Sequence, residues 1–306
     1  MKKAGALRRD LHLNGSLYLM VLPVVAFYIL FHYLPMSGVI IAFKNYKPAK
    51  GVFGSAWAGM GGFQHFHDFF TNFYFYRTLR NTLLINLYTL LFGFPAPIVF
   101  ALLLNEVKCR PFKRAVQTVS YFPHFISLVV VCGMLTEFCL SDGLFNQIRA
   151  LFGLSPKPLL QDPLLFRTIY VSSGVWQTVG WSSIVYLAAI AGIDQRLYEA
   201  AALDGAGRWR CMWHITLPGL KQTVVVLLIM QIGKMMNVSA DKIILLYNNS
   251  TMETADVISS YVYRRGLLEL NWSFSTAVGL FNSVINCALV VGANAMSRRL
   301  TESSLF

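Results

Sequence analysis

Charge is scarce in this chain: only 13% of its 306 residues are Asp, Glu, Lys or Arg, whereas 56% are hydrophobic. Its apolar runs are too long for the core of one large soluble domain. There is no phosphate-binding GxxxxGK[ST] loop, since Gly233-Lys234 lacks both the earlier glycine and the following Ser or Thr. ATP hydrolysis by that route is excluded. The five cysteines (Cys109, Cys132, Cys139, Cys211 and Cys287) contain no CxxC pair, and no disulfide framework is expected. The six histidines (His12, His32, His65, His67, His124 and His214) are scattered. They form neither the nucleophile–base nor the metal constellation that a membrane-embedded enzyme needs. His65, His67 and Asp68 have no second ligand cluster and read as part of an interfacial aromatic segment. No apolar run is followed by a small-residue cleavage site, so the first is expected to stay in place. No inverted repeat speaks for a secondary transporter.

What the chain has is long apolar runs, with a mean hydropathy of +0.53. About 20 apolar residues cross a bilayer core, and six runs qualify, near 16–42, 79–104, 115–138, 167–192, 217–238 and 273–296. The fold class expected is all-α, a six-helix integral membrane protein. The net charge of +12 is spread as topology rather than as a nucleic-acid or anionic-lipid site. Lys2, Lys3, Arg8 and Arg9, then Lys108, Arg110, Lys113 and Arg114, then Arg196, Arg208 and Arg210, then Arg298 and Arg299 fall on one side of the six runs. By the positive-inside rule both termini are cytoplasmic. That gives a tail 1–15, a bundle 16–296 and a tail 297–306 in a multi-pass plasma-membrane protein.

Two runs carry polar stripes. Gln231, Lys234 and Asn237 recur at i, i+3 and i+6 in the fifth, and Asn282 with Asn286 at i, i+4 in the sixth. A lysine at mid-membrane costs roughly 2.5–3.5 kcal/mol, so Lys234 is expected to face a partner helix or a watery cavity. Trp176, Gln177 and Trp181 in the fourth run are further candidates for a substrate pathway. The alternative for all of them is interhelical packing and hydrogen bonding.

Between the fourth and fifth runs lies a compact polar and aromatic insert, 194–218. Leu197, Ala200 and Ala201 share one helix face. Asp194 can cap that helix, and Glu199 lies in its early turns. Gly205 and Gly207 permit a sharp turn. Trp209, Met212 and Trp213 make the stripe of a second short helix, and Pro218 is expected to open the next long one. The insert reads as a helix–turn–helix elbow along a membrane surface.

The spacing Glu199-Ala200-Ala201, three residues, Gly205, nine residues, Ile215, one residue, Leu217-Pro218 resembles the EAA signature of permease subunits in binding-protein-dependent ABC importers. In that family the elbow is the coupling helix that docks on an ATPase subunit. The resemblance assigns coupling to Glu199 and Gly205, with Ala200, Ala201 and Asp204 shaping the docked face and Ile215, Leu217 and Pro218 completing the motif. The segments Leu245–Asn248, Glu253–Ser259, Tyr261–Leu267 and Ala277–Asn286 resemble the polysaccharide or lipoprotein-associated branch of the maltose-permease-like sugar permeases. Gln195 departs from the proline usual there. The resemblance implies a type I importer fold and a non-catalytic subunit that binds no cofactor itself. Its partners would be a second homologous permease, two ABC ATPases carrying ATP and Mg, and an extracytoplasmic sugar-binding protein. The substrate class implied is an oligosaccharide, and Lys234 is the candidate reader of an acidic or hydroxyl-rich part of it. A peptide or amino-acid permease is the nearer rival, because the elbow alone does not identify substrate.

Overall fold

The structure, a computed structural model, describes residues 13–301. Lys2, Lys3, Arg8, Arg9 and His12, and the chain after residue 301, lie outside the described residues. The helices that matter are α1 (Gly15–Phe43), α2 (Gln64–Thr71), α3 (Tyr74–Glu106), α4 (Arg110–Tyr121) and α5 (Leu128–Phe138). They continue as α6 (Leu144–Leu151), α7 (Pro163–Ala191), α8 (Gln195–Leu203), α9 (Arg208–Gly219) and α10 (Lys221–Ile232). The last are α11 (Ala240–Leu246), α12 (Ile258–Tyr263) and α13 (Trp272–Thr301).

Among the described residues α1, α3 and α13 are each long and apolar enough to cross a membrane. Two bent pairs supply further spans: α4 with its 3₁₀ extension and α5 turn by 99°, and α9 and α10 by 57°. α7, with 29 residues, is long enough to cross as well, but Gln177 and its serines dilute its hydropathy below that of the others. The expected 115–138 helix is therefore two. Pro123 sits in the 3₁₀ turn Phe122–Phe125, and the extended Ser127 restarts the helix by accepting from Val130 N–H at 3.4 Å.

Three wide π-type turns, Ile29–Tyr33, Thr89–Gly93 and Met212–Thr216, each end two residues before a proline: Pro35, Pro95 and Pro218. Proline lacks an N–H and clashes with the carbonyl four residues back. Widening the preceding turn relieves both problems without ending the helix. Pro218 accordingly lies inside α9 and does not open the next helix. Pro23 too sits within regular helix and does not interrupt α1.

The chain forms two compact units. The first comprises the chain up to Phe70 together with Arg265–Leu280. It contains a two-stranded antiparallel ribbon, β1 (Lys44–Asn45) and β2 (Ala56–Trp57). Lys44 Nζ donates to the carbonyls of Val52 and Phe53 beneath Trp57. His65 Nε2 meets the Lys44 carbonyl at 3.2 Å, which gives that histidine a backbone partner.

The second unit, Thr71–Arg264 with the chain from Phe281, holds the elbow and both polar stripes. Its larger core gathers Ile85, Val131, Leu135, Phe166, Ile243 and Val257 from α3, α5, α7, α11 and the loop before α12. α7 packs along α3, where Ala101, Tyr186, Ile190 and Leu220 form a second cluster. It also lies close against α4, since a Cβ on Gly180 would run into the Ser120 carbonyl. One end is tied by Asp256, which is fully buried. Its carboxylate accepts from Arg77 at 3.0 Å, from Arg264 at 2.7 and 2.8 Å and from the Ser260 hydroxyl at 2.8 Å. Asn81 donates to the Asp256 carbonyl at 2.9 Å and accepts from Arg167 at 2.7 Å. The network thereby joins α3, α7 and α12.

Candidate functional site

The elbow forms from local chemistry. Asp194 Oδ1 accepts from the Arg196 N–H at 2.9 Å and starts α8. At the other end Gly205 takes φ +73°. Its N–H reaches the Ala202 carbonyl at 3.1 Å and the Ala206 N–H that of Ala201 at 2.8 Å. This is a left-handed cap that a residue with a Cβ resists. Gly207, at φ −75°, uses no such freedom, so only one of the two glycines is required by the turn. Tyr198 Oη and Thr216 Oγ1 lie 2.9 Å apart and hold α8 to the wide turn of α9.

α8 buries none of its residues. Leu203 is 91% exposed, and Leu197, Trp209 and Trp213 are exposed too, while Met212 is buried. Glu199, Ala200 and Asp204 are exposed, with Ala201, Ile215 and Leu217 half-buried. The expected stripe Trp209–Met212–Trp213 is thus split, with one residue inside and two outside. An apolar and acidic surface of this kind is unpartnered within the chain.

A cavity of about 680 Å³ lies within the second unit, among α3, α7, α10 and α11. Gln177, Gln231, Lys234 and Asn237 all line it, together with Trp181. Trp176 does not, and instead lies in a separate groove against α4. The stripe expected along one helix is not helical throughout: α10 ends at Ile232, and residues 233–239 are turn and irregular chain. A Cβ on Gly233 would collide with Val290 of α13, so glycine lets the chain leave the helix against its neighbour.

Asn282 and Asn286 are not in the cavity wall. Both donate to Asn237 Oδ1, at 3.2 and 3.1 Å. Asn282 also donates to the Met236 carbonyl at 3.1 Å, and Asn286 Oδ1 accepts the Met236 N–H at 3.1 Å. Backbone that unwinds at membrane depth must find such partners, and these two amides supply them.

Sequence reading missed Lys242. It stands in a short segment read as external to the bilayer, and the only signal was one cation immediately before the apolar run Ile243–Leu246. α11 folds back against α5 and α7, leaving Lys242 only 6% exposed. Its Nζ donates to the Tyr170 carbonyl at 3.0 Å and lies 4.6 Å from the centroid of that ring. Gly174 leaves it room. Lys234 and Lys242 are the only charged residues among the described residues lining the cavity, and no carboxylate faces them there. Opposite, Gln177 donates to the Ile126 carbonyl at 3.3 Å, and Trp181 stacks on His124 at 4.6 Å. These contacts fix the α4–α5 break to α7.

Among the described residues no group of three or more His, Cys, Asp or Glu is placed to hold a metal ion.

Comparison with known proteins follows this geometry closely. The family model described as "Binding-protein-dependent transport system inner membrane component" matches residues 93–302. Protein LplB of Bacillus subtilis (strain 168) is 43% identical over 99% of this chain and 93% of its own length. The polygalacturonan/rhamnogalacturonan transport system permease protein YteP of the same organism is 43% identical over 95% of this chain and 90% of its own. A crystal structure of a bacterial ABC transporter involved in import of the acidic polysaccharide alginate contains a chain 43% identical to this one. It superposes with a TM-score of 0.88 over 97% of this chain and 99% of that one. With its signature spacing, its helical membrane fold and these matches, the chain belongs to the family of inner membrane components of binding-protein-dependent transport systems.

Proposed function

We propose that this chain is one permease subunit of an ATP-driven importer of oligosaccharides, uronate-bearing ones among them, and that its elbow transmits the ATPase stroke to the cavity. The observation that carries this reading is a continuous path. The exposed elbow runs through α9 and, past a 57° bend, through α10. α10 ends at the Asn-braced break that presents Lys234 to the cavity. A displacement at the elbow is thereby delivered to the cavity wall, as alternating access requires.

The substrate class rests on two supports. Relatives bear the names of polygalacturonan, rhamnogalacturonan and alginate systems, and the cavity offers two cations with no carboxylate of its own. Lys242 is buried, and a buried cation costs free energy unless it is paired. Lys234 is exposed to the cavity, where a sugar carboxylate in transit would pair it. The Gln231 amide, the Gln177 side-chain carbonyl and the Asn237 amino group, which the bonds to Ile126, Asn282 and Asn286 do not use, are left to meet hydroxyls. The partners in this reading are a second permease, two ATPases that hold ATP and Mg, and a binding protein. A related transporter has been crystallised with an alginate pentasaccharide-bound periplasmic protein. The termini and the elbow would face the cytoplasm, as the basic residues suggest. Family membership sets aside a secondary transporter and a membrane hydrolase.

The test is Lys234→Met in the assembled transporter. Loss of a charge-assisted contact of about 1.5–3 kcal/mol lowers uptake of uronate oligosaccharides roughly tenfold or more and spares neutral ones. Unchanged uptake of every oligosaccharide would make Lys234 structural and remove the acidic reading of the cavity.

A further inference from the structure

The groove that holds Trp176 is used by neither the coupling path nor the cavity. Ala115, Val119 and Pro123 of the α4 arm face Trp176 and Val179 of α7 across about 380 Å³ of almost wholly apolar space. Val119 and Trp176 remain substantially exposed. On the same helix, within the two turns before the groove, stand Arg110, Lys113 and Arg114, with Lys108 just ahead. Among the described residues none of the four forms an ion pair. The nearest carboxylate in sequence, Glu106, is turned to Arg208 at 4.0 Å.

We propose that the groove and the basic turn together bind one anionic phospholipid, with an acyl chain along Trp176 and the phosphate against the cations of α4. The positive-inside rule accounts for basic residues beside a span, but not for an apolar groove opening next to them. α4 rises 1.5 Å per residue, so Val119 lies about 9 Å beyond Lys113. That offset matches the separation between a headgroup phosphate and the upper part of its acyl chain. The bilayer supplies the occupant wherever such a groove faces lipid. Charge selects the headgroup: a zwitterionic lipid brings its own ammonium towards four unpaired cations, whereas an anionic lipid does not. The amphipathic character of α4, basic at its start and apolar along the groove, is that of a helix held at the interface.

The test uses Trp176 as its own reporter. The full transporter is placed in nanodiscs containing an equal fraction of brominated phosphatidylglycerol or brominated phosphatidylcholine. The emission lost in the wild type is compared with that in Trp176→Phe, which isolates this one residue of six tryptophans. The expected result is at least about twofold stronger quenching of Trp176 by the glycerol lipid, a preference abolished by R110Q/K113Q/R114Q. If that variant does not assemble, Val119→Phe fills the groove without touching the charges and should protect Trp176 from both lipids. Equal quenching by the two lipids in the wild type would overturn headgroup selection. No quenching by either would mean that protein covers the groove, and would overturn the site altogether.

Discussion

Replacing Gly205 by valine perturbs the elbow through its backbone alone. A Cβ at this position would meet nothing within 4 Å, so any effect arises from φ +73° and not from a clash. A left-handed L-residue costs roughly 1–2 kcal/mol, and a β-branched one stands at the upper end or beyond. The nine residues of α8 bury nothing within this chain, and a helix so short is marginal without packing. About 1–2 kcal/mol therefore shifts the population of the closed turn by a factor of roughly 5–30. The spans do not depend on this turn, so membrane insertion and the thermal transition of the permease should be unchanged. Pull-down of the ATPase subunits and oligosaccharide uptake should fall together by that factor. Gly205→Asn is the control, because asparagine visits the left-handed region more readily. It should lose much less. Equal behaviour of the valine and asparagine variants in both assays would refute the conformational reasoning.

Two further predictions concern stability. Asp256→Asn strands two guanidinium groups and should destabilise the detergent-solubilised protein by about 3 kcal/mol. This is the low end for breaking a buried pair, because the side chains of Arg77 and Arg264 keep 27% and 21% of their exposure. An unaltered melting temperature would contradict the hub. Asp162 caps α7 through the Leu164 N–H at 3.0 Å and pairs with Lys157 at 2.6 Å. The Lys157 hydrogen bond first, and then that of Leu164, hold its carboxyl below the usual range. A depressed carboxyl contributes stability that is present above its unfolded pKa and is lost as pH falls through the folded value. The gap between wild type and Asp162→Asn should therefore be seen at neutral pH and close in acid. A gap constant with pH would argue against it.

The elbow was legible because it is local. Asp194 and Gly205 act within a few residues of themselves, and side-chain type with spacing is enough to foresee a cap and a left-handed turn. Pro218 was misread because a proline can either open a helix or follow a wide turn within one, and composition does not distinguish the two. The end of α10 at Ile232 was hidden for another reason. One glycine in an apolar run is tolerated in a helix, and only the distant Val290, Asn282 and Asn286 make the break favourable. Those asparagines read either as a substrate-facing stripe or as interhelical hydrogen-bonders, and they act as the latter, satisfying the unwound backbone. Lys242 escaped notice because its cavity is assembled from α3, α7, α10 and α11, and no local pattern reports that convergence. Long-range partners were the common blind spot.

The central claim, that this chain couples ATP hydrolysis to oligosaccharide import, is tested most directly by ATPase activity of the co-expressed, purified complex in lipid. It should be measured with and without the binding protein and a panel of neutral and uronate oligosaccharides. The account predicts stimulation that requires both the binding protein and an oligosaccharide, with uronate-bearing ones among those that stimulate. Failure of the chain to co-purify with any ATPase, or hydrolysis indifferent to both additions, would contradict it.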